Sequence, residues 1–313
     1  MWSRPARFLF LLPAVVWVLV FTVFPLGYSL GISFSKVENR MEVTRERVPL
    51  VDDEGNPVLN TRGEPRTRIL VERENITEWS FEGFANYGRI FRDRQAISAV
   101  RVTTIFVLVA VTVQLVLGMG LAVLFNRKLP ARGLLRSVMI LPIFATPIAV
   151  GYLFFTIFYE EGGPLSFTGI PWLSNPDWAL VSVILVDVWQ WTPFAFLVFL
   201  AALQGVDEDL LDAARLETES EGQVFFHVIL PLLQPVIIIV LLLRLAEALK
   251  LFDIPFALTG GGPGIATQSF SFLAFRTGLR YFDVGYASAM AYCMLIVVMI
   301  IVTMFFNRLR RIY

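Results

Sequence analysis

Four charged residues recur at every third position of an apolar stretch, and their signs alternate. They are Arg244, Glu247, Lys250 and Asp253. Residues three positions apart are neighbours on a helix, so each step would place opposite charges side by side. Because one charge at bilayer depth costs about 3 kcal/mol, such a set should face a protein interior or a wet cavity. Two interpretations stay open: the charges line a path for a polar solute, or they pair only to fix helix packing.

A second polar group lies in an earlier apolar stretch, where Asp187 precedes Trp189, Gln190 and Trp191. The alternative there is an aromatic belt at a membrane surface with one acid reaching toward water. Phe252 could stack on a solute ring, although an aromatic side chain in an apolar helix more commonly only packs. The candidate solute path comprises Asp187, Trp189, Gln190, Glu247, Lys250, Phe252 and Asp253.

Motifs of catalysis and nucleotide binding are missing from the sequence. There is no Gly-x-x-x-x-Gly-Lys-Ser/Thr phosphate loop, no Gly-x-Ser-x-Gly elbow and no His-Glu-x-x-His. A single histidine, His227, and a single cysteine, Cys293, exclude clustered metal ligands and an internal disulfide. The formal net charge is +0, so the chain as a whole has no positive potential that would attract nucleic acid. We therefore expect no enzyme activity, no bound cofactor or metal, and no nucleic-acid partner.

The composition indicates an integral membrane protein. Of 313 residues, 56% are hydrophobic and 17% are charged, whereas soluble domains are about 25% charged. A bilayer core about 30 Å thick needs roughly 20 apolar helical residues. Six segments fulfil this, at about residues 8–32, 102–125, 138–159, 178–203, 235–258 and 284–306. The predicted fold class is all-α with six transmembrane helices. Gly118 and Gly120 lie inside the second segment, and small residues there indicate close helix packing.

Basic residues predict the orientation of these segments, because short cytoplasmic loops are rich in Lys and Arg. Arg4 and Arg7 precede the first segment. A basic loop joins the second and third segments, and a basic tail follows the sixth, with these residues: Arg127, Lys128, Arg132, Arg136, Arg308, Arg310 and Arg311. Both termini are therefore predicted to be cytoplasmic.

Three regions follow from this topology. Residues 1–33 form a tail and the first helix, residues 34–97 an outside segment, and residues 98–313 a five-helix core. The outside segment carries an insert at about 37–79, with turn residues at 53–57 and 62–65. Because residues 48–51 and 68–71 flank these turns, we expect a small exposed hairpin.

The loop at residues 204–234 is expected on the cytoplasmic side, and it contains a helix-forming run from Asp212 to Glu217. A polar break from Thr218 to Gly222 follows, and Pro231 and Pro235 are expected to end the helical turn after it. A short helix that is polar on one side and apolar on the other is suited to a groove in a partner protein.

This loop resembles the "EAA" loop of ABC importer permeases, which reads Glu-Ala-Ala, three residues, Gly, nine residues, Ile, one residue, Leu-Pro. Asp212 stands for the Glu, Ala213 and Ala214 match, and Thr218 replaces the Gly. In that family the loop docks into the ATPase subunit, which implies a set of coupling residues here. They are Asp212, Ala213, Ala214, Arg215, Glu217, Thr218, Ser220, Leu230 and Pro231.

Four further stretches resemble the sugar-transporting branch of the family, which is the maltose-permease type. They are residues 84–87, 189–194, 258–264 and 283–289. Permeases of this type occur as pairs of non-identical subunits, and the chain resembles the first subunit of such a pair. The resemblance implies a second permease subunit as heterodimeric partner, two ATPase subunits that bind ATP and Mg, an extracytoplasmic solute-binding protein, and a multi-pass position in the bacterial inner membrane. The chain would form half of the solute path. The alternative is a six-span secondary transporter or channel that uses the charges of the fifth segment. The solute stays open among disaccharide, oligosaccharide, polyol and glycerol phosphate.

Overall fold

The computed structural model describes residues 4–49, 67–127, 130–217 and 220–310, whose regular secondary structure is helical apart from one two-stranded sheet. The helices are α1 (Arg4–Val18), α2 (Phe24–Ser33), α3 (Ala85–Ile90), α4 (Arg94–Asn126), α5 (Arg132–Ile140), α6 (Pro147–Phe158), α7 (Pro176–Gln204), α8 (Glu208–Glu217), α9 (Glu221–Val224), α10 (Leu230–Leu232), α11 (Gln234–Ala248), α12 (Asp253–Leu258), α13 (Phe270–Phe275) and α14 (Val284–Leu309). The strands are β1 (Ser35–Pro49) and β2 (Thr67–Phe81). Turns of π-helix at Leu19–Val23, Phe225–Ile229 and Arg276–Arg280 continue the neighbouring helices.

Four segments are long and apolar enough to cross a membrane by length and composition: Leu11–Ser33, Arg94–Asn126, Pro176–Gln204 and Val284–Arg308. Two bent pairs reach that length only together, namely Arg132–Phe144 with Pro147–Phe158 and Glu221–Leu232 with Gln234–Ala248. The described residues thus contain four spans, or six if each bent pair crosses as one. The helical membrane class is confirmed, whereas an unbroken helix is wrong for the third and fifth predicted segments.

The third predicted segment, residues 138–159, is broken between α5 and α6. The two halves meet at an angle of 102°. Thr146 is extended, with φ −67° and ψ 140°, because the ring of a following proline disfavours helical backbone at the preceding residue. Pro147 therefore keeps Thr146 out of the helix and begins α6 at its first turn, and Ala145 before it is extended as well.

The fifth predicted segment, residues 235–258, is also broken. Helix α11 ends at Ala248, and α12 begins only at Asp253. A proline ring clashes with the carbonyl four residues earlier, so Pro255 prevents a helix from continuing through Leu251. The carbonyl of Leu251 instead accepts a hydrogen bond from the hydroxyl of Ser269. As a consequence Arg244 and Asp253 do not lie on one helix.

The predicted hairpin is present and longer than expected. Strands β1 and β2 contain 15 residues each and pair in antiparallel register from Ser35 opposite Phe81 to Pro49 opposite Thr67. The turn residues at 53–57 and 62–65 lie outside the described residues. The strands are rich in charged residues, so the alternation of apolar and polar positions that marks a strand was visible only next to the turns.

The base of the hairpin is fixed by Asn86 of α3. Its side-chain amide donates hydrogen bonds of 3.0 Å each to the carbonyls of Ser33 and Ser35. The hydroxyl of Tyr87 lies 2.7 Å from that of Ser33. A Cβ atom at Gly285 of α14 would overlap the carbonyl oxygen of Ser35. The end of α2, the hairpin and the start of α14 therefore form one joint.

Small residues let the central helices approach closely. A Cβ atom at Gly118 of α4 would lie 2.7 Å from the Cβ of Ala195 in α7. Gly151 of α6 is placed in the same way, 2.6 Å from the Cβ of Ala257 in α12. Both distances are shorter than any ordinary contact between carbon atoms, so these positions accept only glycine without a shift of the backbone.

Candidate functional site

A buried polar network joins three helices at the centre of the bundle. Arg244 of α11 lies with a guanidinium nitrogen 3.2 Å from the carboxylate of Asp187 in α7. Its Nε donates to the side-chain oxygen of Gln114 in α4 at 2.9 Å, and the amide of Gln114 donates to Asp187 at 2.6 Å. All three residues are less than 5% exposed. Because each partner satisfies another, the charges are tolerated away from water.

Trp191 completes the surroundings of the guanidinium, which lies 4.8 Å from the centre of the indole ring. Such a cation–π contact adds to the stabilisation of a desolvated arginine. Trp191 was not among the predicted path residues, although it lies four positions after Asp187 and therefore on the same helix face. Gln114 lies on a different helix, and no local pattern connects it to Asp187.

A cavity of about 220 Å³ opens beside this network. Five ionisable residues line it, namely Asp187, Arg244, Glu247, Lys250 and Asp253. Two aromatic residues, Trp191 and Phe252, also line the cavity, as does Pro147 at the start of α6. The structure thus brings together all of the predicted path residues except Trp189 and Gln190.

The charges of the fifth segment do not form the predicted ladder. The ammonium of Lys250 lies 2.9 Å from the carboxylate of Glu247, and these two side chains are 54% and 59% exposed. Arg244 forms its ion pair with Asp187 rather than Glu247. Asp253 begins α12, and its carboxylate has no hydrogen bond or ion pair with another described residue. Of the predicted steps, the one between Glu247 and Lys250 is therefore present. The break after Ala248 explains why Asp253 is separate, because it removes the helical spacing between Lys250 and Asp253. Arg244 and Glu247 share α11, and Arg244 nevertheless pairs with Asp187 of α7.

Gln190 is buried behind the cavity and holds the break between α5 and α6. Its side-chain amide donates to the carbonyl of Ala145 at 2.9 Å. The side-chain oxygen of Gln190 has no hydrogen-bond partner among the described residues. This residue therefore supports the shape of the bent segment and leaves one acceptor unused.

Trp189 and Phe252 behave differently from each other. Trp189 points to the other side of α7, where its ring packs against Phe154 at 5.1 Å and is 42% exposed. Phe252 lines the cavity and also packs against Phe275 and Phe256, with ring centres 4.9 and 5.4 Å away. Phe252 therefore contacts both the cavity and a cluster of neighbouring aromatic rings.

The segment between α7 and α11 contains the predicted short helix as α8, Glu208–Glu217. Arg215 holds it to α9, since its guanidinium lies 2.8 Å from Asp212 and 3.1 Å from Glu221. The hydroxyl of Ser220 caps α9 by accepting the N–H of Gln223. Thr218 lies outside the described residues, so the turn there is not described.

Pro231 does not end the helical turn as expected. A π-turn at Phe225–Ile229 continues α9 into α10, and Pro231 occupies the first turn of α10. The chain bends by 67° only afterwards, before α11.

The surface of α8 carries uncovered apolar side chains. Leu216 is 91% exposed and Leu210 is 44% exposed. Ala213 is exposed and Ala214 is half-buried, so the small residues of the motif lie beside these leucines. Four acidic residues share the helix: Glu208, Asp209, Asp212 and Glu217. This arrangement of apolar and acidic groups on an exposed helix is a surface suited to protein binding.

Comparison with known proteins places this architecture in a family. Residues 114–312 match the family model described as "Binding-protein-dependent transport system inner membrane component". The chain belongs to this family. It is therefore a permease of the inner membrane and not an enzyme, and the absence of catalytic motifs agrees with this.

The relatives are permeases of similar size. The chain is 39% identical to the probable ABC transporter permease protein y4oQ of Sinorhizobium fredii over 72% of this chain and 78% of the relative. It is 35% identical to the trehalose/maltose transport system permease protein MalF of Thermococcus litoralis over 75% and 83% of the two chains. A chain of a bacterial alginate ABC transporter, solved with a periplasmic protein bound to an alginate pentasaccharide, has the same fold, with a TM-score of 0.74, 21% identity and coverage of 98% and 94%.

Proposed function

We propose that this chain is one permease half of an ATP-driven importer and lines half of the path of a sugar or sugar-like solute. The observation that carries the proposal is α8, an exposed helix held in place by Arg215 at the position of the family's docking loop. A helix that passes force to a partner must offer surface to it, and α8 does so through Leu210, Ala213 and Leu216.

The chemistry of α8 suits an ATPase subunit with a basic rim around an apolar groove. Leu210, Ala213 and Leu216 supply apolar contact, and the neighbouring carboxylates supply charge of one sign. Charge complementarity of this kind mainly orients the partners, while the apolar contact supplies most of the affinity. ATP and Mg would bind in that ATPase subunit, and this chain would bind neither.

The sugar class is supported by the relatives and by the cavity. Relatives that cover most of the chain carry names of trehalose, maltose and sulfoquinovosyl glycerol transport. The cavity combines hydrogen-bonding groups with the rings of Trp191 and Phe252, which is the mixture that a sugar with its polar edge and apolar face requires. The solute would arrive from an extracytoplasmic binding protein.

A second, non-identical permease would supply the other half of the path. The cavity of about 220 Å³ is smaller than the roughly 300–1,000 Å³ of a complete ligand pocket, so it forms part of a site. In the orientation predicted from the basic loops, both termini of the chain and α8 would face the cytoplasm. The alternative of a secondary transporter or channel is not favoured, because the chain belongs to a family of binding-protein-dependent systems.

The proposal is tested by co-purification of the ATPase subunit from cells that produce the whole transporter. The double variant Ala213→Asp with Ala214→Asp adds two carboxylates to the docking surface. We expect the tagged variant to lose most of the ATPase that the unchanged chain retains. The reason is that buried, unpaired charges cost several kcal/mol at an interface.

Ala131→Asp is the matched control, because Ala131 is also exposed and lies in another loop expected on the cytoplasmic side. Its backbone has φ 53°, a conformation that Asp adopts more readily than Ala. The control should retain the ATPase. Equal retention by both variants, or failure of the unchanged chain to bind any ATPase, would overturn the proposal.

A further inference from the structure

The charges around the cavity do not cancel: among the described residues, two ion pairs leave one carboxylate without a counterion. Five ionisable groups line it, and four of them belong to two ion pairs, Arg244 with Asp187 and Lys250 with Glu247. The fifth, Asp253, has no ion-pair partner among the described residues. The wall that this chain supplies therefore carries one uncompensated negative charge.

Each cation of the cavity already has a carboxylate beside it. The guanidinium of Arg244 is held by Asp187, Gln114 and the ring of Trp191. An anionic solute that drew Arg244 away would leave Asp187 charged and buried, which is strongly unfavourable. The ammonium of Lys250 is 2.9 Å from Glu247, and an anion approaching it would meet that carboxylate as well. Arg276 does not contribute, since it bonds the hydroxyl of Tyr281 and does not line the cavity.

Asp253 offers a contact for hydrogen-bond donors and cations rather than for anions. It is half-buried at the first position of α12, next to the half-buried ring of Phe252. A carboxylate has only acceptor sites and can accept from two hydroxyl groups or from an ammonium group. Beside it, an aromatic ring provides the apolar surface against which the C–H face of a sugar ring can lie.

From this charge pattern we infer that the half of the path formed by this chain favours uncharged or cationic polyhydroxylated solutes over anionic ones, with Asp253 as the residue that discriminates. This inference rests on the proposed function, because it assigns the cavity to the solute. Among the solutes that the sequence left open, it retains the neutral sugars and polyols and disfavours glycerol phosphate.

The local charge can be measured without knowing the solute, by the reaction of a cysteine with reagents of opposite sign. Phe252→Cys is placed on a Cys293→Ala background in the assembled transporter in membranes. It is then treated with trimethylammonium-ethyl and sulfonato-ethyl methanethiosulfonate. Each rate is divided by that of the same reagent with free glutathione. A unit charge about 7 Å away in a water-like medium changes the local concentration of a monovalent ion by about threefold.

We expect the normalised rates to favour the cationic reagent by at least about threefold. Asp253→Asn should bring their ratio close to one. Asp177→Asn, at an exposed acid outside the cavity, should leave the ratio unchanged. Trp191→Cys, on another wall of the cavity, gives a second reporter if Phe252→Cys does not assemble.

Equal rates, a faster anionic reagent, or a ratio that Asp253→Asn does not change would each overturn the inference. The outcome is separate from that of the ATPase co-purification. A transporter that keeps its ATPase through α8 but shows no preference for the cationic reagent would retain the proposed function and lose only the charge selectivity.

Discussion

Arg244 shows what a guanidinium requires when it lies inside a helical bundle. It is 2% exposed, and a guanidinium has five N–H donors and no acceptor. Asp187 and Gln114 supply the acceptors, and Trp191 supplies a ring face. Because these residues come from three helices, the pairing of one side chain also fixes how α4, α7 and α11 lie against one another.

Removal of the buried, paired carboxylate of Asp187 should be far more damaging than removal of the half-buried, unpaired carboxylate of Asp253. Asp187→Asn leaves Arg244 without its anion, and we expect a loss of about 3–5 kcal/mol in the free energy of unfolding. Asp253→Asn is the matched control and should change stability by less than about 0.5 kcal/mol. The midpoint of thermal unfolding in detergent measures both variants. Equal midpoints would show that the network contributes little.

The pairing of Asp187 could not have been read from the sequence, although its importance could. An acid deep in an apolar stretch predicts a functional or paired residue. Its partner Gln114 is 73 positions away and Arg244 is 57 positions away. Which helix faces meet depends on the rotation of α4, α7 and α11, and several rotations satisfy the same apolar pattern.

At the scale of elements, two helix breaks shape the cavity. Both follow from prolines that are visible in the sequence, Pro147 and Pro255. A hydropathy average over about 20 residues passes over them because the flanking residues are apolar on both sides. The steric rule for proline marks Thr146 and Leu251 as possible break points. It does not by itself predict a break, because α7 continues through Pro193. Without those breaks, Asp253 would not lie at the end of a new helix beside the cavity.

The contact between α4 and α7 depends on one of two neighbouring glycines. A methyl group added by Gly118→Ala would lie 2.7 Å from the Cβ of Ala195 and 2.9 Å from the backbone nitrogen of Phe196. We expect the helices to separate slightly, at a cost of about 1–3 kcal/mol in the free energy of unfolding. The same thermal assay in detergent measures this loss.

Gly120→Ala is the control, because nothing lies within 4 Å of the added methyl group. It should be neutral or stabilise the helix by up to about 1 kcal/mol, since alanine loses less backbone entropy than glycine. Destabilisation by both variants to the same extent would contradict the packing argument. The sequence indicated that small residues pack in this helix, and the structure assigns that role to Gly118.

At the scale of the whole molecule, the predicted topology assigns the loops to two sides of the membrane. The acid-containing loop before α7 should lie outside, and the basic loop between α4 and α5 should lie inside. We expect Asp177→Cys, on a Cys293→Ala background, to react with an impermeant maleimide in intact spheroplasts. Ala131→Cys should react only after the membrane is permeabilised.

The labelling experiment has a clear contrary outcome. Reaction of Ala131→Cys in intact spheroplasts, or protection of Asp177→Cys, would reverse the orientation and place α8 on the wrong side for an ATPase. The basic residues carry this prediction, and the acidic residues of the loop at 204–234 carry little weight in orientation.

The hairpin of β1 and β2 is long, and its base contacts α3 and α14. Fifteen residues per strand at about 3.3 Å each span about 50 Å, more than the roughly 30 Å thickness of a bilayer core. Its base is held by the hydrogen bonds of Asn86 and by the close contact of the Ser35 carbonyl with Gly285 of α14. A sideways force on the distal end of a straight hairpin would therefore bear on the first turn of the last membrane helix, where Gly285 contacts Ser35.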